Sequence, residues 1–198
     1  MIGIFIEPNK ELKTYINKWK KKINKKFIRS KLTSHPPHST IYYADLVKDK
    51  DVLKVLGTTL KKINSFKISI NKTLIFYDDK LTGGDTMCLS INKDNILFQI
   101  QKKIAKNLKF FIKHTSNKNN QLTNKAHLTS VKKYGYPFVG GHWLPHFTIG
   151  SIKNKRNSNE FKQFVEEKVK FKNNINYISA WKISGNKHIL IKRFKLKD

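Results

Sequence analysis

The chain has 198 residues and a formal net charge of +28, from 41 lysines and arginines against 13 aspartates and glutamates. Hydrophobic residues make up 38% of it and aromatic residues 12%, which is enough for a packed interior and excludes a disordered chain. The charge excludes cationic partners as the default and favours polyanions such as RNA, DNA, nucleotides or an anionic membrane surface. Only three of the cations are arginines, and asparagine and isoleucine are abundant, so a genome poor in G and C explains the excess equally well.

The cysteine content and the apolar runs bear on the compartment. The single cysteine, Cys88, excludes an internal disulfide and a cysteine-based zinc cluster, and it fits a reducing environment. The apolar run Ile2–Ile6 is too short for a signal peptide, and no run approaches the roughly 18 apolar residues of a membrane span. We therefore expect a cytoplasmic monomer that does not enter a membrane.

The first half of the chain predicts alternating strands and helices. Ile2–Ile6 is closed by a turn, which indicates a buried strand. From Glu11 to about Phe27, apolar residues recur at three- and four-residue steps, which predicts an amphipathic helix. Its other face is predicted to be a solvated lysine face, with binding of a nucleic-acid backbone as the alternative; it consists of Lys18, Lys20, Lys21, Lys22, Lys25 and Lys26. The elements that follow are a strand at 38–43, a helix at 51–63, and strands at 66–70, 74–77 and 87–91, with a turn at 82–85.

The second half repeats this alternation after a helix at 96–108. Residues 113–141 are polar, punctuated by glycine and without clear periodicity, which predicts a long functional loop or a lid. The remaining elements are a strand at 143–152, a helix at 160–169, and a closing hairpin of strands at 177–183 and 188–194.

The pattern Pro-His-x-Thr-Ile appears once in each half, and this repetition is the most informative feature of the sequence. Side chains two positions apart on a strand point to the same face, so His38 projects with Thr40, and His146 with Thr148. Two such strands placed side by side would line one cleft with two imidazoles and two hydroxyls.

Two histidines that flank a phosphate can catalyse a phosphodiester reaction without a metal. One neutral imidazole removes a proton from the attacking water or hydroxyl, and the other, protonated, gives a proton to the departing oxygen. Threonine hydroxyls can donate hydrogen bonds to the non-bridging oxygens, where negative charge must be held. This chemistry predicts a bell-shaped pH profile and no effect of chelators.

Other histidines in the sequence are weaker candidates. A third His-x-Thr match, at His127, lacks the preceding proline and is interpreted as a chance match. The pairs His35/His38 and His142/His146 suggest a metal site, but prolines forbid a helix at the first pair and no acidic residue lies near either. We therefore predict no metal and no other cofactor, and place His35 and His142 either at the rim of the cleft, as candidates for contact with the substrate, or directly behind the residues that line it.

Two aromatic residues near the motifs are candidates for contact with a base. Tyr42 is predicted to share a strand face with His38 and Thr40, and Trp143 precedes the second motif. Either ring can stack on a base or pack in the core, and the sequence leaves both roles open.

The two motifs resemble those of the two-histidine (2H) phosphoesterases, which include the LigT-like 2′-5′ RNA ligases and cyclic phosphodiesterases. Ile2–Glu7 resembles the first strand of that family, the segment 38–43 its first His-x-Thr strand, and the segment 143–150 its second motif, Trp-x-Pro-His-x-Thr. The resemblance implies an α+β fold in which two pseudo-symmetric lobes of antiparallel sheet, with flanking helices, surround a central cleft in a single domain over residues 1–198.

The same resemblance implies the roles of the motif residues. His38 and His146 would be the acid/base pair, and Thr40 and Thr148 would hold the phosphate. The expected function is a metal-independent phosphodiesterase that acts on RNA ends or oligonucleotides, by opening a 2′,3′-cyclic phosphate or by cleaving or joining a 2′-5′ linkage. The alternatives are a phosphodiesterase of signalling nucleotides, such as 2′-5′ oligoadenylate or cyclic oligonucleotides, and a non-catalytic RNA-binding protein on the same fold.

Overall fold

The computed structural model describes residues 1–27, 30–113, 124–185 and 187–198. Five α-helices lie in these ranges: α1 (Lys10–Lys26), α2 (Asp49–Leu60), α3 (Asn95–Leu108), α4 (Lys125–Tyr134) and α5 (Asn159–Glu166). They are joined by eight strands: β1 (Ile2–Ile6), β2 (Ser39–Ala44), β3 (Phe66–Asp79), β4 (Gly84–Ile91), β5 (His146–Ile152), β6 (Phe171–Ile175), β7 (Tyr177–Ser184) and β8 (Lys187–Lys195). None of the helices in the described ranges is long and apolar enough to span a lipid bilayer.

The strands form two antiparallel four-stranded sheets, which confirms the predicted α+β class. Sheet A has the order β2-β1-β7-β8, and sheet B has the order β5-β4-β3-β6. Strand β2, which begins directly after His38 and contains Thr40, and strand β5, which begins at His146 and contains Thr148, therefore occupy equivalent edge positions in the two sheets. The helices cross between the sheets, because α1 follows β1 of sheet A but contacts β5, and α3 follows β4 of sheet B but contacts β2.

Two of the predicted strands are merged in the structure, and one strand was not predicted. The two strands predicted at 66–70 and 74–77 are one strand, β3, with an irregularity in its pairing after Ile70. Strand β6 was not predicted, because its Phe-Lys-Asn-Asn-Ile sequence has low β-propensity. It is held by Asn173, whose fully buried side chain accepts from the backbone N–H of Asn9 at 2.8 Å and donates to the carbonyl of Glu7 at 3.3 Å.

The segment predicted as a long loop, 113–141, contains helix α4. Asn124 begins this helix by accepting hydrogen bonds from the backbone N–H groups of Ala126 and His127, and Gly135, with φ of 66°, ends it. The prediction of an irregular segment was wrong over these residues, because the helix is short and mostly polar. Residues 114–123 of the segment lie outside the described residues, and the role of the segment as a lid stays a prediction.

One face of α1 is buried as predicted, with one exception on its lysine face. Leu12, Ile16, Trp19 and Ile23 lie in the core, and Asn9 begins the helix by accepting from the N–H of Leu12. Lys20, however, is only 5% exposed. It was predicted to be solvated, but it follows Trp19 directly and therefore borders the buried stripe.

A glycine in β1 makes room for an aromatic ring. A Cβ atom at Gly3 would lie 2.3 Å from Cζ of Phe5, because the Phe5 ring folds back over the backbone of the same strand. Phe5 is 3% exposed, and its ring stacks on the imidazole of His38 with centroids 4.0 Å apart.

We expect Gly3→Ala to lower the free energy of unfolding by about 1–3 kcal/mol, because the added methyl group must displace the Phe5 ring. Denaturant unfolding measures this change. Gly141→Ala is the matched control, since a Cβ atom there meets nothing within 4 Å. Equal stability of the two variants would show that the Phe5 ring is not held in this position.

Candidate active site

The two motif strands meet although they belong to different sheets. β2 and β5 are in contact, and the segment that precedes β2 pairs with β5 through Lys31 and Ser151, whose backbones exchange hydrogen bonds of 3.2 and 2.9 Å. The indole N–H of Trp143 also donates to the carbonyl of Thr40 at 3.0 Å. These links place both His-x-Thr pairs at the seam between sheets A and B.

A β-bulge follows the threonine of each motif. In sheet A, Ile4 pairs with Tyr42 but Phe5 pairs with Thr40, so Ile41 has no partner on β1. In sheet B, Met87 pairs with Gly150 but Cys88 pairs with Thr148, so Ile149 has no partner on β4. Both isoleucines are fully buried. The bulge gives the repeated Thr-Ile sequence a structural reason, because it buries the isoleucine while the threonine beside it keeps some exposure.

The bulge in β2 corrects the prediction for Tyr42. Because Ile41 is an extra residue, Tyr42 aligns with Ile4 on the core face, and Tyr43 takes the face of Thr40. The Tyr42 side chain is fully buried, and its hydroxyl donates to the carbonyl of Tyr134 at 2.6 Å. It packs in the core and is not placed to stack on a base.

Trp143 also packs in the core. It is 2% exposed, and its ring forms a T-shaped contact with that of Phe98, with ring centroids 5.4 Å apart. Its indole N–H donates to the carbonyl of Thr40. Of the two roles that the sequence left open for this residue, the structure supports packing. The hydrogen bond to Thr40 also connects the residues before the second motif with the first motif.

The two motif histidines are oriented in the same way. Nδ1 of His38 lies 2.6 Å from the carbonyl oxygen of Pro36, and Nδ1 of His146 lies 2.6 Å from that of Leu144. A carbonyl only accepts, so Nδ1 carries the proton in each ring and a neutral imidazole keeps the lone pair at Nε2. In each ring, Nε2 is therefore the nitrogen that can accept a proton or, once protonated, donate one.

The surroundings of the two imidazoles differ in charge. Burial lowers the pKa of His38 to about 3, against the hydrogen bond to Pro36, and the nearby His188, Lys20 and His35 lower it further. Burial also lowers the pKa of His146, but there the hydrogen bond to Leu144 and the carboxylate of Asp79 act in the opposite direction. The neighbouring charges thus oppose protonation of His38 and favour protonation of His146.

The threonines supply hydroxyl donors beside these rings. Thr148 accepts a weak hydrogen bond from the Cys88 thiol at 3.9 Å. Within the described ranges, neither Thr40 nor Thr148 gives its hydroxyl proton to a protein acceptor. Both protons are therefore free to bind an anion in the cleft.

The other predicted rim histidines lie in different places. The ring centroids of His35 and His188 are 4.4 Å apart, and those of His188 and His38 are 5.5 Å apart. His35 therefore lies near His38. His142 is exposed and its ring meets that of His127 on α4 at 5.5 Å. The location of His127 on a helix is consistent with its interpretation as a chance match.

Sequence reasoning missed three residues beside the catalytic candidates. The rings of His188, which belongs to the closing hairpin, and of Phe5 both contact the ring of His38. The ring centroid of Phe76 is 5.1 Å from that of His146. No motif marks them, because they come from strands that are distant in sequence and adjacent only through sheet pairing. Among the described residues, no group of three or more His, Cys, Asp or Glu side chains is placed to hold a metal ion.

Comparison with known proteins finds relatives of the fold among solved structures. Comparison with curated proteins finds no match. Among solved structures, TT0787 of Thermus thermophilus aligns over 99% of this chain and 97% of its own, with 12% identity and a TM-score of 0.64. LigT of E. coli complexed with NADP+ aligns over 100% and 98%, with 11% identity and a TM-score of 0.59, and LigT complexed with 3'-AMP over 100% and 98%, with 10% identity and 0.54. At these identities the likeness shows the fold alone.

The sequence, unlike the fold, identifies the family. The family model of the 2'-5' RNA ligase superfamily matches residues 8–185, a range that includes both motifs. The chain therefore belongs to the 2'-5' RNA ligase superfamily.

Proposed function

We propose that the protein is a metal-independent phosphodiesterase that acts on RNA ends or oligonucleotides. Its reaction is the opening of a 2′,3′-cyclic phosphate, or the closely related cleavage or joining of a 2′-5′ linkage. The observation that carries the proposal is the pair of equivalent His-x-Thr segments at one seam. In each of them the histidine is fixed through Nδ1, and the threonine hydroxyl donates to no acceptor in the described part of the chain.

The four motif side chains supply the proton transfers and the hydrogen bonds to the phosphate. A water oxygen attacks phosphorus, its proton passes to Nε2 of one histidine, and the bond from phosphorus to one ribose oxygen breaks. The second histidine gives its proton to that ribose oxygen, so the product is a phosphate monoester and the total number of protons is conserved. Thr40 and Thr148 donate to the non-bridging oxygens as charge develops on them.

The charges around each ring support an assignment of the two roles. His38 lies beside two imidazoles and the ammonium of Lys20, which keep it neutral, as a general base must be. His146 lies near the carboxylate of Asp79, which favours the protonated form that a general acid needs. We therefore assign the base to His38 and the acid to His146 for the hydrolytic direction.

Several observations support a nucleotide-type substrate. The net charge of +28 favours anions. LigT of E. coli, which shares the fold, has been crystallised with 3'-AMP and with NADP+. Trp181, which is half-buried, pairs with Gly3 across β1 and β7 and lies 6.4 Å from Phe5, so it presents an aromatic surface on the same face of sheet A as Thr40.

The first test is turnover of a nucleoside 2′,3′-cyclic phosphate and of a 2′-5′ dinucleotide in the presence of EDTA. We expect the wild-type protein to act on at least one of them, and His38→Ala and His146→Ala each to lower kcat by about 10²–10⁴-fold, since each removes a proton-transfer group. Chromatography that separates 2′- from 3′-phosphates gives the rate and the regiochemistry.

His127→Ala is the matched control for this test, because His127 belongs to a His-x-Thr match on helix α4 and should leave kcat unchanged. If the wild-type protein turns over neither substrate, a panel of 2′-5′ oligoadenylates and cyclic oligonucleotides follows. Binding of RNA that survives the double histidine substitution, with no product from any substrate, would replace catalysis by a binding function.

A second test separates the acid from the base. A nucleotide p-nitrophenyl phosphodiester has a leaving group that departs without protonation, so it bypasses a general acid. We expect His146→Ala to lose much less activity on this ester than on the natural diester, and His38→Ala to lose a similar factor on both. The reverse pattern, measured in the same buffer, would exchange the two assignments.

A further inference from the structure

Lys20 differs from every neighbouring lysine of α1. Lys18, Lys21 and Lys22 are exposed, whereas Lys20 is 5% exposed. An ammonium group is costly to bury, and buried charges in proteins are usually paired with an opposite charge. A lysine in this position therefore needs a specific explanation.

The partners of the Lys20 ammonium are neutral. Its Nζ atom donates to the carbonyl oxygens of Leu32 at 2.8 Å and His35 at 3.0 Å. No carboxylate in the described residues forms an ion pair with it, and those two bonds leave one of its three N–H groups without a protein acceptor there. The charge is thus held in place but not neutralised.

The position of Lys20 connects the two motifs. It lies on α1, which contacts β5, and its hydrogen bonds hold the segment that leads into β2. The bond to the carbonyl of His35 places the ammonium beside the segment that leads to His38, and its helix contacts the strand that begins with His146 and contains Thr148. The titratable groups on which its charge acts are His35, His38 and Cys88, and the Cys88 sulfur is 3.9 Å from the Thr148 hydroxyl.

We propose that Lys20 is an anion-binding residue of the cleft, whose buried ammonium acts on the phosphate of the substrate as its missing counter-charge. This inference rests on the proposed function for the identity of the anion. The phosphate neutralises Lys20, and Lys20 stabilises the negative charge on the phosphate in a region where water screens charges poorly.

The carbonyl contacts make the residue suited to this role. They fix the ammonium before the anion arrives, so little reorganisation is needed on binding. Burial lowers the pKa of Lys20 to about 8 in the empty site, with Cys88 acting in the opposite direction. Because an anion binds the charged form, its affinity must fall as the pH rises through that value and the ammonium loses its proton.

The experiment measures binding of sulfate, which has the shape of phosphate and stays a dianion from about pH 7 to about pH 9.5. Isothermal titration at constant ionic strength gives the dissociation constant across this range. We expect the wild-type protein to bind about tenfold more weakly at the upper end, Lys20→Met to bind about 10- to 100-fold more weakly than wild type at pH 7 and to show no pH dependence, and Lys21→Met to match wild type.

The control removes the same formal charge from an exposed position on the same helix, so a difference between the two variants cannot come from net charge. If Lys20→Met does not fold, the wild-type titration decides the question without a substitution. Sulfate affinity that is constant with pH in the wild-type protein, or equal in the two variants, would overturn the proposal. Such a result would leave Lys20 with only the structural role of holding the Leu32 and His35 carbonyls.

Turnover distinguishes this proposal from the one on which it rests. If the wild-type protein opens the cyclic phosphate and the kcat/KM of Lys20→Met equals that of Lys21→Met, the proposal for Lys20 fails and the proposed function stands. If the wild-type protein turns over no diester but binds sulfate with the expected pH dependence, the anion site stands and the proposed function fails.

Discussion

The two strands that carry the motifs are edge strands of separate sheets, and the site depends on the way these edges are held together. The backbone pair between Lys31 and Ser151 and the bond from the Trp143 indole to the Thr40 carbonyl join them across the seam. An edge strand has unpaired polar groups that must be covered or paired elsewhere. Here part of that requirement is met across the seam, and the same contacts bring the two His-x-Thr segments together at the seam between the sheets.

The chemistry of the cleft follows from burial combined with unequal neighbours. Both imidazoles are crowded by packed side chains, which disfavours the charged form of each and lowers both pKa values. The hydrogen bond that each Nδ1 atom makes to a carbonyl two residues earlier fixes the two rings in the same orientation. The difference between them comes from outside the motifs, since cationic and imidazole groups surround His38 while a carboxylate lies near His146. In the proposed reaction, this difference is what gives the histidines of a repeated motif opposite roles in proton transfer.

The lysine content has two different meanings in this molecule. Most of the lysines of α1 are on a solvated face, where a charge costs little and is screened by salt. Lys20 is the exception, because its ammonium is buried against neutral carbonyls, and selection for composition gives no reason to place a charge there.

The sequence by itself determined the helices α1, α2, α3 and α5 to within a few residues, and the His38/Thr40 and His146/Thr148 pairs, whereas the α+β class was implied by the resemblance of these motifs to a known family. These features depend on local periodicity and on a motif that occurs in each half, and both are visible within short segments. The bulges at Ile41 and Ile149 moved Tyr42 into the core, since one extra residue reverses every later side chain, and no local signal marks that residue. The tertiary structure alone decided that Phe5, Phe76 and His188 surround the histidines and that Lys20 is buried, because these neighbours are created by strand pairing and helix packing between segments far apart in the chain.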